Sequence, residues 1–164
     1  RNGPRTLHGV ASHGFPNLFH LGSLQNAASV NFTHVLQEQA THIGELQAWD
    51  LATNKKVWSH NFTNSHLWGP VLATGGDLVF MGGTNDRYFR AFDAKTGRVL
   101  WQARTNSGVT GVPSSYEVDG TQYIAVQSGW GVDAQRKQAS LHKLLGWEAE
   151  VPQGGVVWVF ALRQ

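Results

Sequence analysis

Residues 91–101 read Ala91-Phe92-Asp93-Ala94-Lys95-Thr96-Gly97-Arg98-Val99-Leu100-Trp101, and a second version of this stretch occurs earlier in the chain. The earlier copy reads Ala48-Trp49-Asp50-Leu51-Ala52-Thr53-Asn54-Lys55-Lys56-Val57-Trp58. Alanine, aspartate, threonine and tryptophan stand in identical places, and the matched positions are 43 residues apart. A repeat of about 40 to 50 residues, with strand-like runs between turns, is typical of the blades of a β-propeller.

Each copy of the repeat predicts a tight turn between two strands. The aspartate side chain can accept hydrogen bonds from backbone amides further along, as in an Asx turn. Gly97 would supply the residue with positive φ, and its counterpart Asn54 is the best non-glycine substitute for that conformation. Trp101 and Trp58 then fall in the following strand, where a large flat ring packs between neighbouring sheets. The motif is therefore interpreted as scaffold.

Composition favours a turn-rich β protein of one domain. The chain has 164 residues, 41% of them hydrophobic, with 19 glycines and 15% charged residues. Its net charge is +2, and Lys and Arg are dispersed, so a nucleic-acid partner is not indicated. The absence of cysteine excludes disulfides, thiolate chemistry and covalent haem attachment in this chain. No apolar run is long enough to span a membrane, and a start at Arg1 without methionine suggests a piece of a longer protein.

The repeat and its turns predict a partial, all-β propeller of about two and a half blades over residues 44–164. The first blade would be represented by its last two strands, Glu45–Asp50 and Lys56–Asn61, without its inner strands. The second blade is predicted to be complete, with strands at Pro70–Thr74, Leu78–Gly83, Tyr88–Asp93 and Arg98–Arg104.

The third blade is interrupted. Its predicted strands are Gly111–Val118 and Thr121–Gln127, joined by an Asp119-Gly120 hairpin turn, and Gly155–Leu162. Val159 aligns with Ala91 at a separation of 68 residues, which exceeds the repeat, so Ser128–Gly154 is interpreted as an insertion.

Residues 1–43 do not follow the repeat and form a separate strand-loop-helix segment in this interpretation. The stretch from Gly14 to Gly22 predicts a turn and a short buried strand. Apolar residues at steps of three and four after Asn31, a plausible N-cap, predict an amphipathic helix of about three turns.

This N-terminal segment resembles the C-terminal end of flavin-dependent Baeyer-Villiger monooxygenases. The matching stretches are His13–Gly22, Val30–His34 and Glu38–Ile43. The resemblance implies a place near the flavin of an FAD-binding domain. No Gly-x-Gly-x-x-Gly fingerprint accompanies it, so the sequence does not support FAD binding by this chain.

Residues 44–164 resemble the C-terminal part of the pyrroloquinoline-quinone (PQQ)-dependent alcohol dehydrogenases, which are eight-bladed propellers. The resemblance rests on the following stretches, in this order: Gly44–Asp50, Leu67–Phe80, Ala91–Trp101, Tyr116–Tyr123, Ser128–Gly131 and Gly154–Leu162.

The resemblance implies a periplasmic oxidoreductase that converts alcohols to aldehydes. A calcium or lanthanide ion would act as Lewis acid on PQQ, an aspartate would take the hydroxyl proton, and electrons would leave to a cytochrome. Most of these groups are expected outside this chain, so no catalytic residue and no metal ligand is assigned within it. Trp68 would contribute to the apolar wall over the quinone, with Gly69 letting the backbone approach. The alternative for Trp68 is a packing role.

Other candidate residues are weaker. His34 and His42 lie two helical turns apart, which is a poor spacing for a metal site. Asp77, Asp86 and Asp119 all fall in predicted turns, where aspartate is common, and are not interpreted as calcium ligands.

The preferred hypothesis is a fragment of a quinoprotein alcohol dehydrogenase joined to a monooxygenase-like segment near Ile43-Gly44, with little activity of its own. Its partners would be the rest of the propeller or other copies of the chain, with a small alcohol and a cytochrome acceptor in the parent protein. One alternative is a non-catalytic, propeller-type interaction module that needs several copies or a partner to complete a ring. The other is a remnant of a flavin monooxygenase.

Overall fold

The computed structural model describes residues 18–19, 44–147 and 150–162. Within these ranges the chain forms ten strands and one helix, and the strands are arranged in three antiparallel sheets. The strands, in chain order, are β1 (Leu18–Phe19), β2 (Glu45–Asp50), β3 (Lys55–Asn61), β4 (Val71–Ala73), β5 (Leu78–Met81), β6 (Tyr88–Asp93), β7 (Val99–Arg104), β8 (Ser114–Val118), β9 (Thr121–Ser128) and β10 (Val156–Leu162). Helix α1 spans Val132–Leu145 between β9 and β10.

The first sheet has the strand order β1-β2-β3. The two predicted strands of this blade are confirmed as β2 and β3, but the prediction that its inner strands are missing is wrong in part. Strand β1, from the N-terminal segment, pairs with β2 through Leu18 opposite Ala48 and Phe19 opposite Gln47. The short strand predicted within Gly14–Gly22 is thus confirmed as β1, but its pairing with β2 is a long-range contact that local sequence does not reveal. The helix predicted after Asn31 lies outside the described residues.

The second sheet, β4-β5-β6-β7, is the complete blade that the sequence predicts. Each of its strands begins and ends within two residues of the predicted bounds. Its ladder shifts register between Ala91 and Phe92, and the first sheet has the same irregularity between Ala48 and Trp49. The 43-residue repeat in sequence is therefore also a repeat in backbone geometry.

The predicted Asx turns are confirmed in both copies of the repeat. Asp93 Oδ1 accepts hydrogen bonds from the amides of Lys95 at 3.0 Å and Thr96 at 2.8 Å. Asp50 accepts an equivalent bond from the Ala52 amide at 2.9 Å. Gly97 has φ +71° and Asn54 has φ +54°, as expected for the left-handed position of each turn.

The third sheet has the order β8-β9-β10, with the predicted hairpin turn at Asp119 and Gly120, both at positive φ. The all-β fold class is wrong in one respect, because the insertion contains helix α1. Asp133 lies in the first turn of this helix and Lys143 in its last, both favourable for the helix dipole. Gly146 ends it in the left-handed conformation, with its amide bonded to the His142 carbonyl.

The three sheets pack face to face through two hydrophobic clusters. The cluster between the first and second sheets contains Leu46, Ala48, Trp58, Phe62, Leu67, Val79, Met81 and Phe92. The cluster between the second and third contains Phe80, Phe89, Ala91, Val109, Ile124 and Val126. Most of the buried apolar side chains therefore lie between sheets, as in stacked propeller blades.

Both repeat tryptophans contact the next sheet, as predicted. Trp58 is buried, and its Nε1 donates a hydrogen bond to the Ala94 carbonyl at 2.9 Å, in the turn of the second sheet. Trp101 is partly exposed and meets Phe160 of the third sheet edge-on, with ring centroids 4.9 Å apart. These contacts tie each sheet to its successor.

A histidine at the interface between the first two sheets should make the folded chain less stable in acid. His60 lies against Phe62 and Phe92, at ring-centroid distances of 4.8 and 5.2 Å. Burial, and secondarily the positive charge of Arg90, lower the pKa of His60 below its usual value of 6.5. As the pH falls through this unfolded-state value, the unfolded chain binds a proton that the folded chain does not, so the free energy of unfolding decreases.

We expect the urea midpoint to fall as the pH is lowered from 8 to 5. A His60→Phe variant keeps an aromatic ring at the interface but has no proton to bind. Its midpoint should fall less than that of the parent chain over the same range. Identical acid dependence in the two proteins would contradict this origin of the effect.

Candidate functional site

Trp68 and Gly69 lie in the connection that leads into β4. The Trp68 amide donates a hydrogen bond to the Gly83 carbonyl at 3.0 Å, which fixes this connection against the end of β5. A Cβ added to Gly69 would lie 2.3 Å from the Gly82 carbonyl oxygen. Gly69 is therefore needed for close packing of two backbone segments.

The indole ring of Trp68 is only partly buried, and one neighbour contacts it closely. The His66 ring lies 4.8 Å from it, centroid to centroid, at an interplanar angle of 33°. The Nε1 atom of Trp68 is buried and has no hydrogen-bond partner among the described residues. A buried, unpaired indole N–H is costly, because it has lost its hydrogen bond to water without a replacement. It is thus available to an acceptor that the described residues do not provide.

Trp130 lies in the same cluster as Trp68, although the two are 62 positions apart in the sequence. This cluster also contains Ala134 of α1 and Val151, and Trp130 itself is buried. From the sequence, Trp130 is only part of the matching Ser128–Gly131 stretch and is not a predicted site residue. The two glycines that flank Trp130, Gly129 and Gly131, are the feature of the sequence that could have indicated a site there.

A buried serine network holds Trp130 in place. Ser107 Oγ accepts a hydrogen bond from the Trp130 amide at 2.9 Å and donates one to the Pro152 carbonyl at 2.6 Å. Ser128 Oγ bonds to the Ser107 backbone, accepting from its amide at 3.2 Å and donating to its carbonyl at 3.0 Å. A Cβ on Gly108 would lie 1.8 Å from the Trp130 ring, so only glycine fits there. These hydrogen bonds join the segment after β7 to the end of β9 and to the loop before β10.

A cleft of about 460 Å³ lies beside Trp130, between helix α1 and the loop that follows it. Its wall combines Trp130 and Val151 with the polar side chains of Gln135, Gln138, His142 and Lys143. Gln138 is buried; its Nε2 donates to the Trp147 carbonyl, and its Oε1 has no partner among the described residues.

Two of the three aspartates predicted in turns, Asp77 and Asp86, pair with other side chains of the protein. Asp86 forms an ion pair with Arg90 and accepts a hydrogen bond from Thr84. Asp77 pairs with Lys95 at 2.6 Å. The described ranges contain no group of three or more His, Asp or Glu residues placed to hold a metal ion. His34 and His42 lie outside those ranges.

No described helix is long and apolar enough to cross a bilayer.

Repeated antiparallel sheets, joined by a recurring turn and packed face to face, define the described chain as part of a β-propeller. Residues 36–124 match the PQQ family described as the β-propeller domain of glucose, ethanol and alcohol dehydrogenases. This match covers more than half of the chain, which therefore belongs to that family.

Individual relatives agree with the family match. The chain is 46% identical over 121 residues to a quinoprotein ethanol dehydrogenase of Pseudomonas putida, covering 74% of this chain and 19% of the relative. It is 38% identical over 119 residues to a 1-butanol dehydrogenase (cytochrome c) of Thauera butanivorans, covering 66% of this chain and 17% of the relative. The chain thus spans about a fifth of the length of the curated relatives it matches.

The three-dimensional arrangement also resembles that of a solved enzyme. A europium-containing methanol dehydrogenase superposes with a TM-score of 0.60 and 32% identity, covering 72% of this chain and 23% of that one. The sequence prediction of a quinoprotein propeller segment is therefore confirmed.

Proposed function

We propose that this chain is a segment of a periplasmic quinoprotein alcohol dehydrogenase that oxidises small alcohols to aldehydes. The observation that carries the proposal is the 46% identity over 121 residues to a quinoprotein ethanol dehydrogenase. PQQ would accept the hydride from the alcohol, and a calcium or lanthanide ion would act as the Lewis acid. A cytochrome is the proposed electron acceptor, in keeping with the name of the butanol dehydrogenase relative.

The residues around Trp68 fit a place at the edge of a cofactor cavity. Trp68 offers a partly exposed aromatic surface and a buried indole N–H that has no acceptor among the described residues. A flat, oxygen-rich quinone has both a ring that could stack and oxygens that could accept that hydrogen bond. Gly69 supports the site indirectly, because its packing against Gly82 sets the path of the connection.

The chemical groups of the reaction are proposed to lie elsewhere in the longer parent protein. The described residues of this chain would position the quinone and exclude water, while the aspartate base and the metal ligands would come from other blades. We assign no catalytic residue and no metal ligand to this chain. The rest of the propeller is the proposed partner of its outer sheets.

The monooxygenase-like origin of residues 1–43 stays a prediction without support from the relatives. Those named above are dehydrogenases of ethanol, 1-butanol and methanol, and the family match begins at residue 36. We retain the join near Ile43-Gly44 as a hypothesis that rests on sequence resemblance alone.

A chimeric enzyme tests the proposed function. The matching segment of the Pseudomonas putida ethanol dehydrogenase would be replaced by residues 44–164 of this chain. We expect the chimera to bind PQQ in the presence of calcium and to reduce an artificial dye when ethanol is added. A chimera that folds, as judged by circular dichroism, but neither binds PQQ nor oxidises ethanol would contradict the proposal.

Two tryptophan variants of the chimera separate cofactor contact from packing. Trp68→Ala should weaken PQQ binding at least about tenfold, which corresponds to roughly 1.4 kcal/mol of lost interaction. Trp101→Ala removes a tryptophan that packs on Phe160, so it should lower thermal stability without a comparable loss of PQQ affinity. Equal effects of both variants on PQQ affinity would assign Trp68 to the scaffold.

The isolated 164-residue chain provides the complementary measurement. Titration with PQQ and calcium should give no saturable quenching of tryptophan fluorescence, and ethanol should cause no dye reduction. Saturable binding together with activity would show that the chain assembles the catalytic site without the remaining blades.

A further inference from the structure

A second aromatic ring packs on Trp68, the residue that the proposed function places at the quinone. The His66 ring lies two positions earlier in the sequence, with the ring centroids 4.8 Å apart and the ring planes inclined at 33°. This separation is within the range of packed aromatic pairs, so each ring restricts the rotation of the other. Both residues lie in the connection between β3 and β4, and their contact is internal to it.

The indole of Trp68 depends on packing for its orientation. Its Nε1 donates no hydrogen bond to any described residue, and the side chain is only partly buried. The bond from the Trp68 amide to the Gly83 carbonyl fixes the main chain, but it leaves the torsion angles of the side chain free. The groups that pack on the indole must therefore hold it in place, and His66 is the ring in closest contact with it.

His66, in contrast, is itself held by hydrogen bonds. The residue is buried, with 8% of its surface exposed. Its Nδ1 lies 3.1 Å from the Leu67 carbonyl oxygen, and a proton on Nδ1 donates to that oxygen. The Ser65 hydroxyl donates to the His66 carbonyl at 2.9 Å. Both the ring and the main chain of His66 are thus fixed relative to the residues beside it.

The loop between β5 and β6 anchors this part of the connection. The Asn85 amide donates to Ser65 Oγ at 2.9 Å, and Asn85 Nδ2 donates to the Asn64 carbonyl at 2.7 Å. Within the loop, the fully buried Thr84 accepts a hydrogen bond from Arg90 at 3.1 Å. The second sheet therefore sets the position of the segment that carries the His66 ring.

We propose that His66 is a positioning residue whose ring holds the Trp68 indole in the orientation that contact with the quinone requires. The inference rests on the proposed function, because that function assigns Trp68 to the quinone. His66 acts through Trp68 alone, and no proton transfer is assigned to it. A flat ring of similar size should therefore replace it, whether or not that ring contains nitrogen.

Nuclear magnetic resonance of the full chain tests the positioning without any cofactor. The indole N–H signal of Trp68 is assigned by its absence from a Trp68→Phe variant, and its heteronuclear Overhauser effect reports fast motion of the ring. We expect His66→Ala to lower this effect, because the indole loses the ring that packs on it. His66→Phe should keep the effect near the value of the parent chain.

The indole N–H of Trp58 is the control in the same spectra, because it is held by the Ala94 carbonyl at 2.9 Å. Its Overhauser effect should be the same in the parent chain and in the His66 variants. If it falls in His66→Ala, the whole fold is loosened, and His66→Leu takes the place of that variant. Leucine fills the space without a flat ring, and we expect the same loss of order at Trp68 alone.

The chimeric dehydrogenase relates the positioning to the cofactor. His66→Ala should weaken PQQ binding about threefold to tenfold, the effect of losing one aromatic contact. In a Trp68→Ala background the same substitution should change PQQ affinity less than about twofold, because His66 then has no indole to hold. His66→Phe should stay within about twofold of the parent chimera, since it keeps the ring.

Different results separate failure of this inference from failure of the proposed function. If Trp68→Ala leaves PQQ affinity unchanged, the quinone contact of Trp68 is wrong, and the role of His66 fails with it. If Trp68→Ala weakens PQQ binding but His66→Ala does not, the contact stands and the positioning role is overturned. Equal losses from His66→Ala with and without Trp68, or a Trp68 N–H as rigid in His66→Ala as in the parent chain, would also overturn it.

Discussion

Replacing Gly83 with alanine should unfold most of the chain or lower its free energy of unfolding by at least about 3 kcal/mol. A Cβ at this position would lie 1.9 Å from the Gly69 nitrogen and 2.5 Å from the Gly69 Cα. Gly83 also has φ +85°, which a side chain tolerates poorly. The clash is with backbone, so it cannot be relieved by rotation of a side chain. The connection that carries Trp68 must move away, and the hydrogen bond from the Trp68 amide to Gly83 must break.

Gly76→Ala is the control for this prediction. A Cβ on Gly76 meets no atom within 4 Å, and its φ is not in the left-handed region. We expect its stability to stay within about 0.5 kcal/mol of the parent chain. Urea denaturation followed by circular dichroism and tryptophan fluorescence measures both variants. Equal stability of Gly83→Ala and Gly76→Ala would mean that the two backbone segments do not pack closely.

The repeat could be predicted because its signals are local. Asp93 and Gly97 lie four residues apart, and the hydrogen bonds and positive φ that they provide form within one turn. Alternating apolar and polar residues, together with the turn residues that bound them, then predict the strands on either side of the turn. The same reasoning extended to the third sheet, because the Asp119-Gly120 turn defines its hairpin without reference to distant residues.

Helix α1 was missed because its apolar periodicity is weak. Only Ala134 and Gln138 of its residues are buried, so no broad apolar stripe marks it in the sequence. The available signals were at its ends, with Asp133 in the first turn and Gly146 as the C-cap. These two end signals, and not apolar periodicity, are the features of the sequence that indicate the helix.

The surroundings of Trp68 could not be predicted from local sequence. Trp130 joins its cluster only because the second and third sheets are stacked, which places residues from distant parts of the chain together. The unpaired Nε1 of Trp68 is likewise a property of the folded surroundings. Sequence resemblance made Trp68 a candidate, but the structure was needed to identify its neighbours.

Replacing Phe92 with alanine should lower the free energy of unfolding by about 3 to 5 kcal/mol, the usual range for a buried phenylalanine. Phe92 is fully buried, belongs to the cluster between the first two sheets, and contacts the rings of His60 and Phe62. Its loss would leave a cavity where the second sheet packs against the first. Urea denaturation gives the difference in free energy.

Leu100→Ala is the control for Phe92→Ala, because Leu100 lies in the same sheet but is 45% exposed. We expect a loss below about 1 kcal/mol for that variant. If Phe92→Ala costs as little as Leu100→Ala, the first two sheets are not packed against each other in solution.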